Sequence, residues 1–212
     1  MTEAKAREHI SVLARSLFER GLTGGSSGNI SQRVDGGYLM TPTGSTMRDL
    51  DPARISFLDE AGNHIGGDKP TKESFLHLAF FQVRPKVGAV VHLHSTYSVA
   101  VSCMSGLDET DVLPPLTPYY IMRIGTLPLV PYFAPGDARL ADAVRQAAAD
   151  HYAILLANHG PVVTGKSLED AIYAMEELEE TAKLFLTLQQ LNVRLLTPQQ
   201  VAELNERFPK DI

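Results

Sequence analysis

The sequence predicts an α/β fold: one layered domain over residues 1–212, with a central, largely antiparallel β-sheet flanked by helices. Three observations carry that expectation. A chain of 212 residues is the size of one domain and buries a core without staples. Its first third alternates short apolar runs with glycine turns, the mark of hairpins. The remainder interleaves strands with amphipathic helices, and that order of elements builds layers.

Residues 3–20 read as a helix, because Ile10, Leu13, Ala14 and Leu17 repeat at helical spacing and Gly21 stands where a C′ glycine would. Residues 22–30 are rich in glycine and serine, and read equally as a linker or as a loop whose backbone N–H groups cradle an anion. Residues 30–33 and 38–40 flank Asp35-Gly36-Gly37 as a hairpin, and residues 54–58 and 63–65 form a second one around Gly62. Between them, residues 41–45 make a turn dense in hydroxyls. A helix opens at Lys69-Pro70-Thr71, with Thr71 as N-cap and Leu76, Ala79, Phe80 and Val83 as its buried stripe. Residues 88–94 form a strand and 95–104 a helix. Residues 113–120 hold three prolines and read as irregular. A short strand at 127–132 precedes a helix starting at Pro135-Gly136-Asp137 with Leu140, Ala143, Val144 and Ala147 inward. Strands at 153–157 and 162–164 then lead to a long helix from Ser167 and a final one capped by Thr197 and Gln200. On the long helix Glu176, Glu177, Glu179 and Glu180 read as a solvated face.

Composition excludes several functions. A formal net charge of −6 argues against a nucleic-acid partner. No run of eighteen apolar residues occurs and the N-terminus reads as a charged helix, so neither a membrane span nor a leader is expected and the cytoplasm is the expected compartment. The single cysteine, Cys103, rules out an internal disulfide.

The chemistry concentrates in His92-Leu93-His94. Alternation along a strand puts His92 and His94 on one face, poised for a metal ion. A zinc site needs at least one more protein ligand, and His159, at the end of the 153–157 strand, supplies a third imidazole while leaving a position open. His-x-His also arises by chance, and His9, His64, His77 and His151, without partners at ligand spacing, read as surface or packing residues. Glu73 in the first turn of its helix suits the helix dipole; alternatively Lys72 and Glu73 face a site at that N-terminus.

Taken together, Gly28-Asn29-Ile30-Ser31, Thr41-Pro42-Thr43-Gly44, Pro70 to Glu73, His92-Leu93-His94 and Asn158-His159-Gly160 resemble the class II aldolase family of sugar-phosphate enzymes over nearly the whole chain. The resemblance implies one Zn2+ per subunit, or Mn2+ or Co2+ in its place, held by His92, His94 and His159. It implies Glu73 as the acid/base residue and phosphate held by Gly28, Asn29, Thr43, Gly44 and Thr71. It also implies a homotetramer with sites between subunits, into which Tyr119 or Tyr120 would project from a neighbour. Lys72 departs from the aldolase pattern, which has a serine there. With residues 116–125 and 132–136, it is more similar to a branch of the family, the 3-oxo-tetronate 4-phosphate decarboxylases.

For that branch the expected substrate is a small sugar-acid phosphate, decarboxylated through a metal-stabilised enediolate in four-carbon acid sugar catabolism. Glu73 would be the proton donor, its pKa raised by burial. Lys72 or Arg123 would orient the substrate carboxylate; Lys72 could instead bind phosphate or lie in solvent. The alternatives are aldol cleavage or 4-epimerisation on the same frame, and a non-enzymatic adducin-like binding domain.

Overall fold

In the computed structural model, residues 2–134 and 137–210 are described. Eight strands form one sheet: β1 (Asn29–Val34), β2 (Gly37–Met40), β3 (Ser56–Asp59), β4 (His64–Gly66), β5 (Ala89–His92), β6 (Leu129–Val130), β7 (Ala153–Leu156) and β8 (Gly160–Gly165). Their spatial order is β4-β3-β2-β1-β5-β8-β7-β6. Every neighbouring pair is antiparallel except β6–β7. The fold is therefore α/β around a mostly antiparallel sheet, as the sequence predicts.

Seven α-helices cover the two faces among the described residues: α1 (Glu3–Glu19), α2 (Ser74–Val83), α3 (Thr96–Ser102), α4 (Pro118–Arg123), α5 (Arg139–Asp150), α6 (Leu168–Leu188) and α7 (Pro198–Arg207). Alternation along the strands divides the core in two. On one side Ile30, Ala89 and Val91 pack with Ile10 and Leu17 of α1 and with Met175 and Leu178 of α6. On the other, Val90, Ile154 and Val162 pack with Leu76 and Phe80 of α2 and with Val144 and Ala148 of α5. His92, two residues from Val90, belongs by parity to the α2 face.

Three local expectations are corrected. Thr71 does not cap α2, which begins at Ser74; its hydroxyl accepts the Glu73 N–H in a turn that precedes the helix. The proline-rich stretch yields a helix after all, because Thr117 caps it and Pro118 occupies the first turn, where a missing N–H costs nothing. Glu179 is buried rather than solvated: its carboxylate accepts Tyr97 N–H at 2.8 Å, Ser98 N–H at 2.9 Å and the Ser98 hydroxyl at 2.7 Å. An acid from α6 thus caps α3 just beyond His94, where the exposed donors and the helix dipole favour negative charge. The expected start at Pro135-Gly136 lies outside the described residues, and α5 begins at Arg139.

Replacing Glu179 with alanine leaves these buried donors without an acceptor, so unfolding in urea should show a loss of about 2–4 kcal/mol. The exposed neighbour Glu180 provides the control, expected to change by less than about 0.5 kcal/mol.

Candidate metal centre

The structure brings His92, His94, His159 and Glu73 together, their ligand atoms all within 4.8 Å of one another. His92 ends β5, paired across the sheet with Asn29 on one side and Val162 on the other. His94 follows in the turn before α3. His159 closes the connection from β7 to β8, where Asn158 takes the left-handed conformation (φ 56) that asparagine tolerates better than most residues. The next residue explains how this turn reaches the His92–His94 segment. A Cβ on Gly160 would lie 2.5 Å from the Leu93 carbonyl oxygen, so only glycine permits the approach. Gly28 makes a comparable approach from the other side, where a Cβ would lie 2.9 Å from the His92 carbonyl oxygen.

The three rings stand steeply to one another, at 69°, 80° and 75°. Their Nε2 atoms converge, with His94 at 3.1 Å from His92 and 2.9 Å from His159. Edges of about 3 Å are those of a ligand set around a cation with bonds of about 2.0–2.1 Å. Tautomer chemistry agrees. The His92 Nδ1 proton is donated to the Pro161 carbonyl at 2.8 Å, which leaves Nε2 as a bare lone pair facing the cluster. Burial first, then the neighbouring His159 and His94, holds the His92 pKa down to about 3, although Glu73 pulls the other way. Burial and His159 also lower that of His94. His92 and His94, kept from protonation in this way, fit a divalent cation, and the Nε2 of His159 converges on the same point. His92 is buried while His94 opens to solvent, so the cluster has a floor and an entrance.

Glu73 approaches from α2, its Oε1 3.2 Å from His159 Nε2 and its Oε2 3.6 Å from His92 Nε2. Burial alone would raise its pKa, as the sequence reading expects. That direction is reversed: the hydrogen bond with His159, the electrostatic pull of His92 and the amide of Asn29 outweigh burial and hold Glu73 well below the usual carboxylate range. Glu73 therefore stands at this site as a carboxylate.

The remaining candidates are placed as follows. Asn29 Nδ2 donates to Glu73 Oε2 at 2.7 Å and to the Thr71 hydroxyl at 3.2 Å, so both residues adjoin the cluster. Lys72 is exposed next to Glu73. Thr43 and Gly44 are exposed in a loop whose Thr43 N–H binds the Lys69 carbonyl, on the approach to Thr71. Arg123 is not brought to the cluster; it stacks over Tyr173, in a groove shared with Tyr119, Lys166 and Phe208. Tyr119 is exposed, whereas Tyr120 is fully buried and donates its hydroxyl to Asp111 at 3.4 Å. Tyr120 is thus a core residue, and the chain's own Tyr120 does not enter the site. His77, read from sequence as surface or packing, is fully buried and hydrogen-bonded through both ring nitrogens. Its spacing of four from Glu73 on one helix face was the available signal.

Residues 8–186 match the family described as Class II Aldolase and Adducin N-terminal domain. A 3-oxo-tetronate 4-phosphate decarboxylase from Escherichia coli strain K12 is 51% identical over 203 residues, covering 95% of this chain and 96% of that one. The L-fuculose phosphate aldolase of the same strain is 34% identical over 192 residues, covering 89% and 86%. The crystal structure of YgbL from Escherichia coli superposes with a TM-score of 0.93 at 50% identity, covering 95% of this chain and 98% of that one.

Two outcomes are expected. Metal analysis of the purified chain should find a single divalent ion, and His94→Ala should weaken its binding by more than the roughly 10–100-fold that changes behind a ligand cost, while His151→Ala leaves it intact. Separately, burial lowers the pKa of His77 to about 4, against 6.5 for a free ring. As pH falls below about 6.5 the unfolded chain takes up a proton that the folded chain refuses, so this group makes stability decline down to about pH 4 and then level off, by about 3 kcal/mol in all. Urea unfolding at several pH values should show a shallower decline in His77→Gln than in wild type.

Proposed function

The chain belongs to the class II aldolase and adducin N-terminal domain family, and from that premise we propose that it decarboxylates 3-oxo-tetronate 4-phosphate to dihydroxyacetone phosphate and CO2. The observation that carries the choice of reaction is the gap between 51% identity to a decarboxylase of that name and 34% to an aldolase, both over most of the chain. No helix among the described residues is long and apolar enough to cross a membrane, which suits an enzyme of small phosphorylated acids working in the cytoplasm.

In this reaction the bond between the carboxyl carbon and C2 breaks, its electron pair moves toward the C3 ketone oxygen, CO2 departs, and C2 then receives a proton. A divalent cation held by His92, His94 and His159 supplies Lewis acidity to the ketone oxygen as charge collects there. Three neutral imidazoles suit Zn2+, with Mn2+ or Co2+ as substitutes, one per subunit. Glu73 is the residue placed to hand C2 its proton. It starts as a carboxylate, so the proton has to be loaded from solvent, and the substrate's own carboxylate and phosphate, crowding negative charge beside it, favour that loading. Lys72, exposed and one residue from Glu73 in the chain, would orient the substrate carboxylate.

Gly28, Asn29, Thr43, Gly44 and Thr71 would hold the phosphate. Arg123 and Tyr119, distant from their own chain's cluster, would serve the site of a neighbouring subunit in a homotetramer. Aldol cleavage of a sugar phosphate is the second reading, supported by the shared frame and the 34% identity.

The test is a coupled assay on the zinc-loaded chain, following CO2 and dihydroxyacetone phosphate together. Equal release of both is expected, with Glu73→Gln slower by about 10²–10⁴-fold. Cleavage of fuculose 1-phosphate without CO2 release from the keto acid would overturn the proposal.

A further inference from the structure

From Glu73 a file of polar side chains runs into the core between β1 and α2. Asn29 Nδ2 lies 2.7 Å from Glu73 Oε2. Asn29 Oδ1 lies 2.5 Å from His77 Nε2, and His77 Nδ1 lies 2.6 Å from the Ser31 hydroxyl. Asn29 is 4% exposed, and Ser31 and His77 are 0% exposed, so water does not complete the set.

Only one assignment of protons satisfies every atom. An ionised carboxylate accepts and cannot donate, so Asn29 must present its NH2 group to Glu73. Its carbonyl oxygen then faces His77, whose Nε2 must carry the ring proton. Nδ1 is left as an acceptor, and the Ser31 hydroxyl donates to it. All three bonds run donor to acceptor toward Glu73. Reversing any one sets two acceptors or two donors against each other in a buried place.

The sequence builds the file from two periods. Asn29 and Ser31 are alternate residues of β1, opposite His92 and Val90, and share the face that meets α2. Glu73 and His77 are four apart at the start of α2. Around them the α2 side is apolar, with Leu76, Phe80 and Val90 at 0% exposure. A leucine at 77 would pack there without the expense of burying a polar ring, so packing does not account for the histidine.

We infer that His77, fixed in its tautomer by Ser31, is a positioning residue for Glu73: it locks the Asn29 amide so that its NH2 group, and not its carbonyl, holds the Glu73 carboxylate against the three imidazoles. This rests on the reading of Glu73 as the residue that delivers the proton. Without the His77 donor, only the NH2 contacts with Glu73 and the Thr71 hydroxyl oppose rotation of the Asn29 amide. Its carbonyl is left unpaired in a buried place, and a carbonyl turned toward Glu73 repels the carboxylate out of line. The loss falls on the chemical step and not on substrate affinity.

The experiment uses the full-length zinc-loaded chain with 3-oxo-tetronate 4-phosphate. His77→Leu should lower kcat about 10–100-fold with KM within about 3-fold and bound zinc unchanged. His77→Gln, whose amide N–H can reach the Asn29 carbonyl, should recover most of the loss. The His77→Leu/Asn29→Ala pair should be no slower than Asn29→Ala alone, the non-additivity of residues acting in one network. Nitrogen NMR of ¹⁵N-histidine-labelled wild type should show His77 protonated at Nε2 and bare at Nδ1, and Ser31→Ala should blur that preference and lower kcat a few-fold.

Unchanged kcat in His77→Leu, fully additive losses, or a ring protonated at Nδ1 would each overturn the inference. If His77→Leu does not fold, Ser31→Ala and the tautomer carry the test alone. If the wild type leaves the keto acid untouched, the reaction assignment has failed and the tautomer measurement still decides the file.

Discussion

The approach of the β7–β8 turn to the end of β5 is the constraint on which the site depends. β5 and β8 pair antiparallel from Ala89 opposite Gly165 to His92 opposite Val162. Beyond the last pair the two chains come closer still, where Gly160 meets the Leu93 carbonyl. That contact carries His159, one residue earlier, across to His94. On the other flank β1 pairs Asn29 with His92. The end of β5 is therefore held between two neighbours, and each contributes a side chain to the cluster. A side chain at position 160 would push β8 off the Leu93 carbonyl and move His159 with it, although position 160 touches no ligand atom itself.

Electrostatics follow from this placement. Burial and the crowding of neighbouring rings keep protons from His92 and His94, and the buried ring of His92 resists them most. The same crowding would be unfavourable in a site meant to stay protonated, and suits one meant to offer lone pairs. Glu73 responds in the opposite direction: partners that donate to it, with the electrostatic pull of the neighbouring histidines, keep its carboxyl ionised despite burial. Buried charge persists only where hydrogen bonds satisfy it, which gives the Asn29 amide an energetic role besides any contact with substrate. Glu179 obeys the same rule at the far end of the His92–His94 segment, with three donors from α3 around its carboxylate.

Much of the frame was legible in the sequence because it rests on local periodicity. Alternation marked the β1–β2 hairpin and the β5 strand, helical spacing marked α1 and α6, and Thr197 with Gln200 formed the capping box that the pattern implies. The convergence of His92, His94 and His159 was legible in outline, since two strand ends carry them. What sequence reading missed depends on tertiary contact. Glu179 looks like its exposed neighbours until α3 is laid against it. His77 looks like a packing residue until Ser31 and Asn29, more than forty positions earlier, arrive on the adjoining face. The direction of the Glu73 shift was misjudged for the same reason, because burial was foreseeable and its donors were not. Tyr120 erred the other way: the family resemblance left Tyr119 and Tyr120 as equal candidates, but successive helix positions point in different directions, and Tyr120 faces Asp111 in the core.

The division between fixed and variable parts bears on how one frame serves different bond cleavages. Breaking a C–C bond beside a ketone, whether the departing group is an aldehyde or CO2, demands a place for negative charge on the ketone oxygen and a proton source at the adjacent carbon. The His92–His94–His159–Glu73 cluster can supply both, and it is gathered at the end of β5, where a shift of that strand would disturb both neighbours. The departing group differs, and in a keto acid it carries a charge. A residue that discriminates must therefore lie on the open side of the cluster and must not share its hydrogen bonds. Under the proposed function Lys72 takes that role: it is exposed, next to Glu73 in the chain, and precedes α2, so its identity can change without moving the helix that carries Glu73 and His77. Asn29 and Thr71 do not, since both hydrogen-bond within the Glu73 network. On the proposed function, discrimination of the charged substrate thus falls to an exposed residue beside Glu73, and the cleavage chemistry to the side chains gathered around the end of β5.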